Sequence, residues 1–404
     1  MSTETIVIVG GGQAGGWAAQ TLRTEGFKGR IVLIGDEPHR PYERPPLSKA
    51  ILSGEAHADT AYLHKAEAFS ALEVDWRPNV TASAIDTKTK ALWLANGESV
   101  GYDKLILCTG GRARRLGIPG ADLPGVYTLR SLRDAATLGD AMVADKRLLV
   151  IGGGWIGLEV AATARKKGLD VTVVEAMSRL CERTVPAEIS TYLQRLHTAH
   201  GVRIELGAGV ERLTASGSGL RATLNDGREI GCDLVLVGVG LIANDELARA
   251  AGLACDGGIS VDAQCRSSDP DILAAGDVAV WQNEWAGRRM RLESWQNAQE
   301  QGIAAARSAL GIDVNHQPLP WFWSDQFDVN LQIFGMPTPK HKIVVRGDAD
   351  SNAFVMFFID GEHVVAALGP NSARDLRFAR RLIERRTHVN PALLADTQVP
   401  LAKL

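Results

Sequence analysis

An α/β protein with two doubly wound, parallel-sheet domains and a smaller C-terminal α/β domain is what this sequence of 404 residues predicts. Three observations carry that prediction. Two apolar strands each run into a GxGxxG turn that opens a helix: Ile6-Val7-Ile8-Val9 into Gly10-Gly11-Gly12-Gln13-Ala14-Gly15, and Leu148-Leu149-Val150-Ile151 into Gly152-Gly153-Gly154-Trp155-Ile156-Gly157. Each helix is followed by a second apolar strand that ends on an acid, residues 31–34 before Asp36-Glu37 and residues 171–174 before Glu175. After residue 317 the pattern changes to apolar strand-like runs and one helix. Strand, helix and strand in that order, with turn residues between them, favour a parallel sheet.

Both turns have the chemistry of a Rossmann-like dinucleotide site. The first glycine makes the tight turn, the second lets backbone approach a pyrophosphate, and the third lets the helix pack on the strand, while the helix N-terminus offers N–H groups to phosphate oxygens. Gly10, Gly12 and Gly15 therefore form one candidate site, and Gly152, Gly154, Ile156 and Gly157 a second. The acids Asp36 and Glu175 stand where a carboxylate accepts hydrogen bonds from ribose hydroxyls. One GxGxxG is a weak signal; two complete fingerprints in one chain are a strong one. The alternative is two glycine-rich turns with no ligand.

Bulk composition narrows the class. With 45% hydrophobic and 23% charged residues the chain reads as an ordinary soluble globular protein, and a net charge of −3 gives no case for nucleic acid binding. The N-terminus lacks a basic and an apolar signal region, and the longest apolar run, residues 234–243, is too short and glycine-broken to span a bilayer, so a cytoplasmic location is expected. Cys108, Cys181, Cys232, Cys255 and Cys265 form no CxxC or CxxxxC pair. They read as buried thiols, no metal site is expected, and reductases that work through a cysteine pair are excluded.

In order along the chain, residues 1–35 make the first βαβ unit. Arg40-Pro41-Tyr42-Glu43-Arg44-Pro45-Pro46-Leu47-Ser48-Lys49 follows. Its prolines predict a rigid loop, with a helix starting at Leu47. Carrying Arg44 and Lys49, it is either a cofactor wall or a solvated connection. Residues 71–104 predict short strands (74–77, 84–86, 91–94) with a turn at Asn96-Gly97. A buried strand at 105–108 closes on Thr109-Gly110-Gly111-Arg112, where Thr109 and Gly110 allow close approach to a ligand. A linker spans 118–125, a helix lies near 131–144, and the second βαβ unit covers 147–175. Residues 186–240 repeat the earlier pattern and end at Gly240. The strand Ile272-Leu273-Ala274-Ala275-Gly276-Asp277 comes after the second domain is complete and is expected to return to the first sheet. Four segments follow: 1–112 and 244–317 in the first domain, 113–243 in the second, and 318–404 in the C-terminal domain. A helix over 372–388 places Arg374, Arg377, Arg381 and Arg385 on one stripe, with Leu376, Ala379, Leu382 and Ile383 facing a core.

These residues, with Arg44-Pro45-Pro46-Leu47-Ser48-Lys49, Thr109-Gly110-Gly111, Gly157-Leu158-Glu159, Ala275-Gly276-Asp277 and Pro320-Trp321-Phe322-Trp323-Ser324-Asp325-Gln326, resemble the FAD-dependent ferredoxin reductases of bacterial oxygenase systems, the family of putidaredoxin reductase, rubredoxin reductase and the reductases of aromatic-ring dioxygenases. The resemblance runs through the whole chain in order. It implies a glutathione-reductase-like architecture: an FAD domain, an inserted NADH domain and a C-terminal domain completing the flavin site. It implies that NADH reduces two molecules of a one-electron carrier, a 2Fe–2S ferredoxin or, in one branch, a rubredoxin, serving an aromatic-ring dioxygenase or a cytochrome P450.

Position by position, the resemblance assigns Ala14, Asp36, Lys49, Arg130 and Asp277 to FAD, the backbone of Val80 to the adenine, and Trp295 to the flavin pyrimidine edge, where some relatives carry a smaller residue. It makes Lys49 and Glu159 an ion pair beside the flavin. On local pattern alone Glu159 reads instead as an acid meeting the helix dipole. Glu175 favours NADH over NADPH, because a carboxylate repels a 2′-phosphate; the nearby Arg179 and Arg183 act in the opposite sense. Trp321 and Trp323 are candidates for the flavin edge and the docked carrier, or else ordinary core tryptophans. The arginine stripe would steer an acidic ferredoxin, or is a plain solvated face. Two other activities stay open: an NADH-dependent reductase of a small acceptor, monodehydroascorbate- or oxidase-like, and a redox-sensing flavoprotein with little turnover.

Overall fold

The apolar strand before the first glycine turn is buried on both faces, and the sheet around it shows why. In the computed structural model, which describes residues 4–404, Thr5–Val9 is the middle strand of five. The order is Ile272–Ala274, Lys104–Leu107, Thr5–Val9, Arg30–Ile34, Asp75–Arg77, every pair parallel. Side chains alternate across a strand, so Ile6 and Ile8 face one layer and Val7 and Val9 the other. Ile6 and Ile8 join Ala14, Ala18 and Leu22 of the helix Gln13–Thr24 and Ala305 and Ala306 of the helix Trp295–Ala309. Small residues bring those helices together: a Cβ on Gly302 would stand 2.4 Å from the Ala14 carbonyl oxygen. Val7 and Val9 pack with Ile85, Leu92 and Leu94 of the antiparallel sheet Ala82–Asp86, Ala91–Leu94, Ser99–Gly101, and with the fully buried Trp281.

The chain divides into two compact units. One comprises Met1–Arg44, Asp59–Arg112 and Ile242–Pro320; the other comprises Pro45–Ala58, Ala113–Leu241 and Trp321–Leu404. The strand Ile272–Ala274 does return to the first sheet, in register with Leu105–Leu107. Residues 45–58 fall in the second unit, where Leu52 is buried among Leu138, Met142 and Leu158. Residues 113–241 and 321–404 also fall in one unit.

The second unit is built on a parallel sheet ordered Arg203–Leu206, Asp170–Glu175, Arg147–Ile151, Leu234–Val237, Val126–Tyr127. A three-stranded antiparallel sheet, Val210–Ser216, Gly219–Leu224 and Glu229–Cys232, packs Leu213, Ala222 and Leu224 against Leu149 and Val235. The C-terminal sheet is antiparallel, ordered Trp321–Gln326, Val329–Gly335, His363–Pro370, Phe354–Asp360, Lys342–Gly347. Its helix, Ala373–Glu384, buries Leu376, Ala379, Leu382 and Ile383 as the 3.6-residue period requires. That helix is shorter than the 372–388 read from sequence: Arg385 is the C-cap and Arg386 has φ 48, a left-handed conformation that ends it.

Two further differences are local. The helix expected from Leu47 is a 3-10 turn, Pro45–Ser48, then Ala50–Ser53, since Lys49 between them, at φ −122 and ψ −111, leaves the helical region. Asp75–Arg77 pairs with Arg30–Ile34 and extends the main sheet, while the turn at Gly97 joins the antiparallel strands.

Candidate functional site

In the first unit, Gly10 takes φ +116, and a Cβ there would stand 2.1 Å from the Cys108 carbonyl oxygen. A Cβ on Gly15 would stand 2.0 Å from the Gly10 carbonyl oxygen, so the helix lies directly on the turn. Gly12 is different: a Cβ there would meet nothing within 4 Å. It is also the N-cap of Gln13–Thr24 and gives that helix no side-chain cap. A tight turn, an open second glycine and an uncapped helix N-terminus are the three properties a diphosphate needs.

Around this turn the unit gathers most of the residues read as FAD-binding. Asp36 is exposed at the end of its strand, and the backbone N–H of Val80 donates to the Gly35 carbonyl at 2.9 Å. The neighbouring acid carries the geometry that the sequence did not reveal. Glu37 accepts from the fully buried Tyr42 hydroxyl at 2.7 Å and from Arg44 at 3.1 Å, and Arg44 also donates to Tyr42 at 3.0 Å. Burial works against the Arg44 charge, but Tyr42, Glu37 and Asp277 outweigh it and raise its pKa. The double acid Asp36-Glu37 and the Tyr42–Arg44 spacing were the available signals. Thr109 donates to the Asn244 carbonyl at 2.7 Å, and Asn244 donates back to the Thr109 carbonyl at 3.0 Å, with its N–H on Gly110. Ala14 lies against Gly276, Asp277 is half-buried, and the carbonyl of Trp295 accepts from Gln13 at 2.9 Å.

The second unit repeats the cradle. Gly152 has φ +110 and a Cβ there would stand 2.5 Å from the Gly238 carbonyl oxygen; one on Gly157 would stand 2.1 Å from that of Gly152; Gly154 again meets nothing within 4 Å. Gly154 caps Trp155–Lys166 without a side-chain bond, and Ile156 stands exposed in the first turn. Glu175 accepts from the Gly153 N–H at 2.7 Å and the Met177 N–H at 2.8 Å. Arg179 is committed elsewhere: it donates to the carbonyls of Val185 and Glu182 and to the Ser190 hydroxyl. Arg183 is exposed, with its guanidinium 3.9 Å from where a Cβ on Gly240 would be. Arg130 precedes the capping box that Ser131 and Asp134 form at the helix Leu132–Ala141, its backbone N–H also donating to Asp134 at 2.9 Å.

The same unit holds a buried charge pair. Lys49 donates to Glu159 at 2.7 Å, with side-chain exposures of 20% and 4%, and Ser48 and Ser324 donate to the same carboxylate at 2.5 and 2.7 Å. This displaces the helix-dipole reading of Glu159, which lies past the first turn of its helix and faces inward. Thr163, one turn on, donates to the Ser48 carbonyl at 2.7 Å and ties the loop to the helix.

On the C-terminal sheet, Phe322 and Ser324 point into the unit, Phe322 against Trp155 at 4.9 Å between ring centroids. Trp321 and Trp323 therefore occupy the opposite face, half-buried and stacked on one another at 5.0 Å. Arg374, Arg377, Arg381 and Arg385 are all exposed, and Arg381 lies over the Phe378 ring at 5.5 Å. The cysteines form no disulfide, and all but Cys255 are buried. Among the described residues no helix is long and apolar enough to cross a membrane.

Comparison with known proteins agrees with this geometry. The family model described as pyridine nucleotide-disulphide oxidoreductase matches residues 4–302, and one described as reductase C-terminal matches residues 321–404. The chain is 41% identical to a rhodocoxin reductase of Rhodococcus erythropolis, covering 98% of this chain and 93% of that protein. It is 39% identical to the ferredoxin–NAD(+) reductase component of an anthranilate 1,2-dioxygenase system of Burkholderia cepacia, covering 99% of each. Among solved structures, the covalent putidaredoxin reductase–putidaredoxin complex superimposes with a TM-score of 0.96 at 36% identity, covering 100% of this chain and 98% of that one.

Proposed function

We infer the function from one premise, that the chain belongs to the pyridine nucleotide-disulphide oxidoreductase family and carries the reductase C-terminal domain behind it: it is an FAD-containing reductase that takes hydride from NADH and passes electrons one at a time to a small iron–sulfur ferredoxin serving an oxygenase. The observation that carries this reading is the pair of equivalent cradles, each with an open second glycine at an uncapped helix N-terminus. In a chain whose cysteines do not pair, two dinucleotide sites fit a flavin reductase that hands electrons outward.

The first cradle, with Ala14, Asp36, Arg44, Val80, Thr109, Gly110, Asp277 and Trp295, is assigned to FAD. The second, with Ile156, Glu175 and Gly240, is assigned to NADH. Bound FAD supplies the chemistry that accepts a hydride and releases single electrons. Around it the chain's task is placement and charge. Lys49 supplies a fixed positive charge to the reacting ring, and Glu159 holds Lys49 in place. Glu175 selects NADH, and Arg179 does not oppose it because its guanidinium is spent on its own loop. Arg130 and Trp323 are assigned to the flavin from the resemblance alone.

Trp321 and Trp323, with the stripe Arg374, Arg377, Arg381 and Arg385, form the proposed docking face. The helix packs over Val329–Gly335 and His363–Pro370 and takes no part in the core on the Phe322 side, so it shares a face of the sheet with the two tryptophans. A basic, aromatic surface suits an acidic ferredoxin.

Anaerobic stopped-flow of the holoprotein tests the assignment. NADH bleaches the flavin about tenfold faster than NADPH or better, and a 2Fe–2S ferredoxin reoxidises it rapidly. Reoxidation only by oxygen, a quinone or a small radical replaces the ferredoxin reading with the small-acceptor one. A stable reduced complex without turnover replaces it with a sensor.

A further inference from the structure

An ion pair between Lys49 and Glu159 needs no more than two side chains, yet the carboxylate sits at the end of a longer buried chain. Ser324 donates to Glu159 Oε1 at 2.7 Å, Gln326 Nε2 donates to Ser324 Oγ at 3.0 Å, and Gln326 Oε1 meets His197 Nε2 at 2.8 Å. Ser324, Gln326 and His197 are 1%, 2% and 0% exposed. They come from the first strand of the C-terminal sheet and from the helix Ala187–Ala199.

The direction of each bond follows from its end. An ionised carboxylate only accepts, so Ser324 spends its one proton on Glu159. Ser324 Oγ must then accept from the Gln326 amide nitrogen, which turns Gln326 Oε1 toward His197. His197 therefore carries its proton on Nε2 and donates it. Burial holds this imidazole neutral, its pKa pushed down to about 4, so it supplies one donor and no charge. Every proton in the chain points toward Glu159. Burying three polar side chains costs free energy that an apolar filling would avoid, and His197 Nδ1 has no partner among the described residues, so packing alone does not account for the arrangement.

We propose that Ser324, Gln326 and His197 are positioning residues: they hold the Glu159 carboxylate in one orientation, and through it fix where the Lys49 ammonium stands. Ser48 locks the other oxygen at 2.5 Å, and the Pro45 carbonyl accepts from Lys49 at 3.2 Å. With Ser324 in place, neither oxygen can rotate away without abandoning a donor. The inference rests on the assignment of Lys49 to the flavin chemistry made above.

The test uses the FAD-loaded protein and two readouts, the rate of flavin reduction at saturating NADH and the midpoint potential of the flavin by spectroelectrochemistry. Ser324→Ala slows reduction about tenfold with NADH affinity unchanged, and lowers the potential, because a carboxylate short of one donor neutralises Lys49 more completely. Ser324→Thr, which keeps the hydroxyl, restores both. Gln326→Glu gives the Ser324 phenotype by a different route, since the new carboxylate draws the Ser324 proton away from Glu159; should it fail to fold, the Ala and Thr pair decides alone. Ser324→Ala with a lower melting temperature but unchanged rate and potential overturns the proposal. Lys49→Met separates the two levels. If it leaves rate and potential unchanged, the assignment of Lys49 falls and the proposal with it; if it changes them while Ser324→Ala does not, only the positioning chain falls.

Discussion

Glu175 ends its strand with one oxygen on the Gly153 N–H and the other on Met177, and each oxygen keeps a lone pair for a ribose hydroxyl. The carboxylate thus shapes the turn with the same atoms that, on the proposed assignment, would select the nucleotide. Its identity and place were legible in the sequence, since an acid after the second strand is part of the fingerprint. The commitment of Arg179 was not, because two of its acceptors are carbonyls set by the backbone path of residues 182–185 and the third is the Ser190 hydroxyl of the next helix. Glu175→Ala should lower kcat/KM for NADH by about tenfold to a hundredfold while narrowing the gap to NADPH. Steady-state kinetics with both nucleotides, at constant flavin content, check this; an unchanged NADH-to-NADPH ratio removes Glu175 from specificity. Lys49 and Glu159 mark a deeper limit. They lie 110 positions apart, and only the resemblance joined them in advance. No periodicity announces a buried pair whose further partners are Ser48, beside Lys49, and Ser324, 165 positions from Glu159.

Two elements show how patterning can be read and where it stops. The helix Ala373–Glu384 follows its apolar period faithfully, since a one-sided core is what fixes a surface helix. Its end was overrun because the basic residues continue past Glu384, and only the backbone turn at Arg386 stops it. Arg380 is paired with Glu384 at 2.8 Å and stands off the stripe, so reversal there removes a local partner as well as a charge. Arg377→Glu and Arg381→Glu are the cleaner changes. Each should raise the ferredoxin KM several-fold and flatten its dependence on ionic strength, leaving NADH-driven flavin reduction unchanged, because electrostatic steering acts on encounter and is screened over about 10 Å at 0.1 M salt. A ferredoxin KM and salt slope equal to the parent's would return the stripe to plain solvated surface. The loop Pro45–Ser48 gives the opposite lesson. Its prolines announced rigidity, but that Leu52 just beyond it is buried with Leu138 and Leu158 depends on a surface supplied by distant sequence.

Across the whole molecule, the central strands of both parallel sheets were legible because each carries its own apolar run, whereas the edge strands Asp75–Arg77 and Val126–Tyr127 do not, and the return of Ile272–Ala274 followed from having one strand too many for the second sheet. That 45–58 packs in the second unit was not legible, since a short helix with one anchor residue has no period to read. The two units share one buried weakness. His197 in one and His316 in the other are each pushed down by burial to a pKa of about 4. His316 donates to Asn297 Oδ1 at 3.1 Å, an orientation fixed because the Asn297 amide nitrogen donates to the Leu292 carbonyl. Both imidazoles are neutral in the folded chain and titrate near pH 6.5 in the unfolded one. Between those values the unfolded state binds more protons, so stability is fully present above about pH 6.5 and falls as pH drops toward 4, by up to about 3 kcal/mol for each histidine. The carboxylates held down by partners, such as Asp271 between Lys104 and Lys90 and Asp233 beside Arg147, withdraw their share only at lower pH. Urea unfolding of the holoprotein from pH 8 to 5 should therefore show a falling midpoint well before the carboxylates protonate. His316→Asn and His197→Gln should each remove part of that slope, whatever they cost at pH 8, because neither amide titrates. A slope identical to the parent's in both variants would mean that the acid sensitivity lies elsewhere.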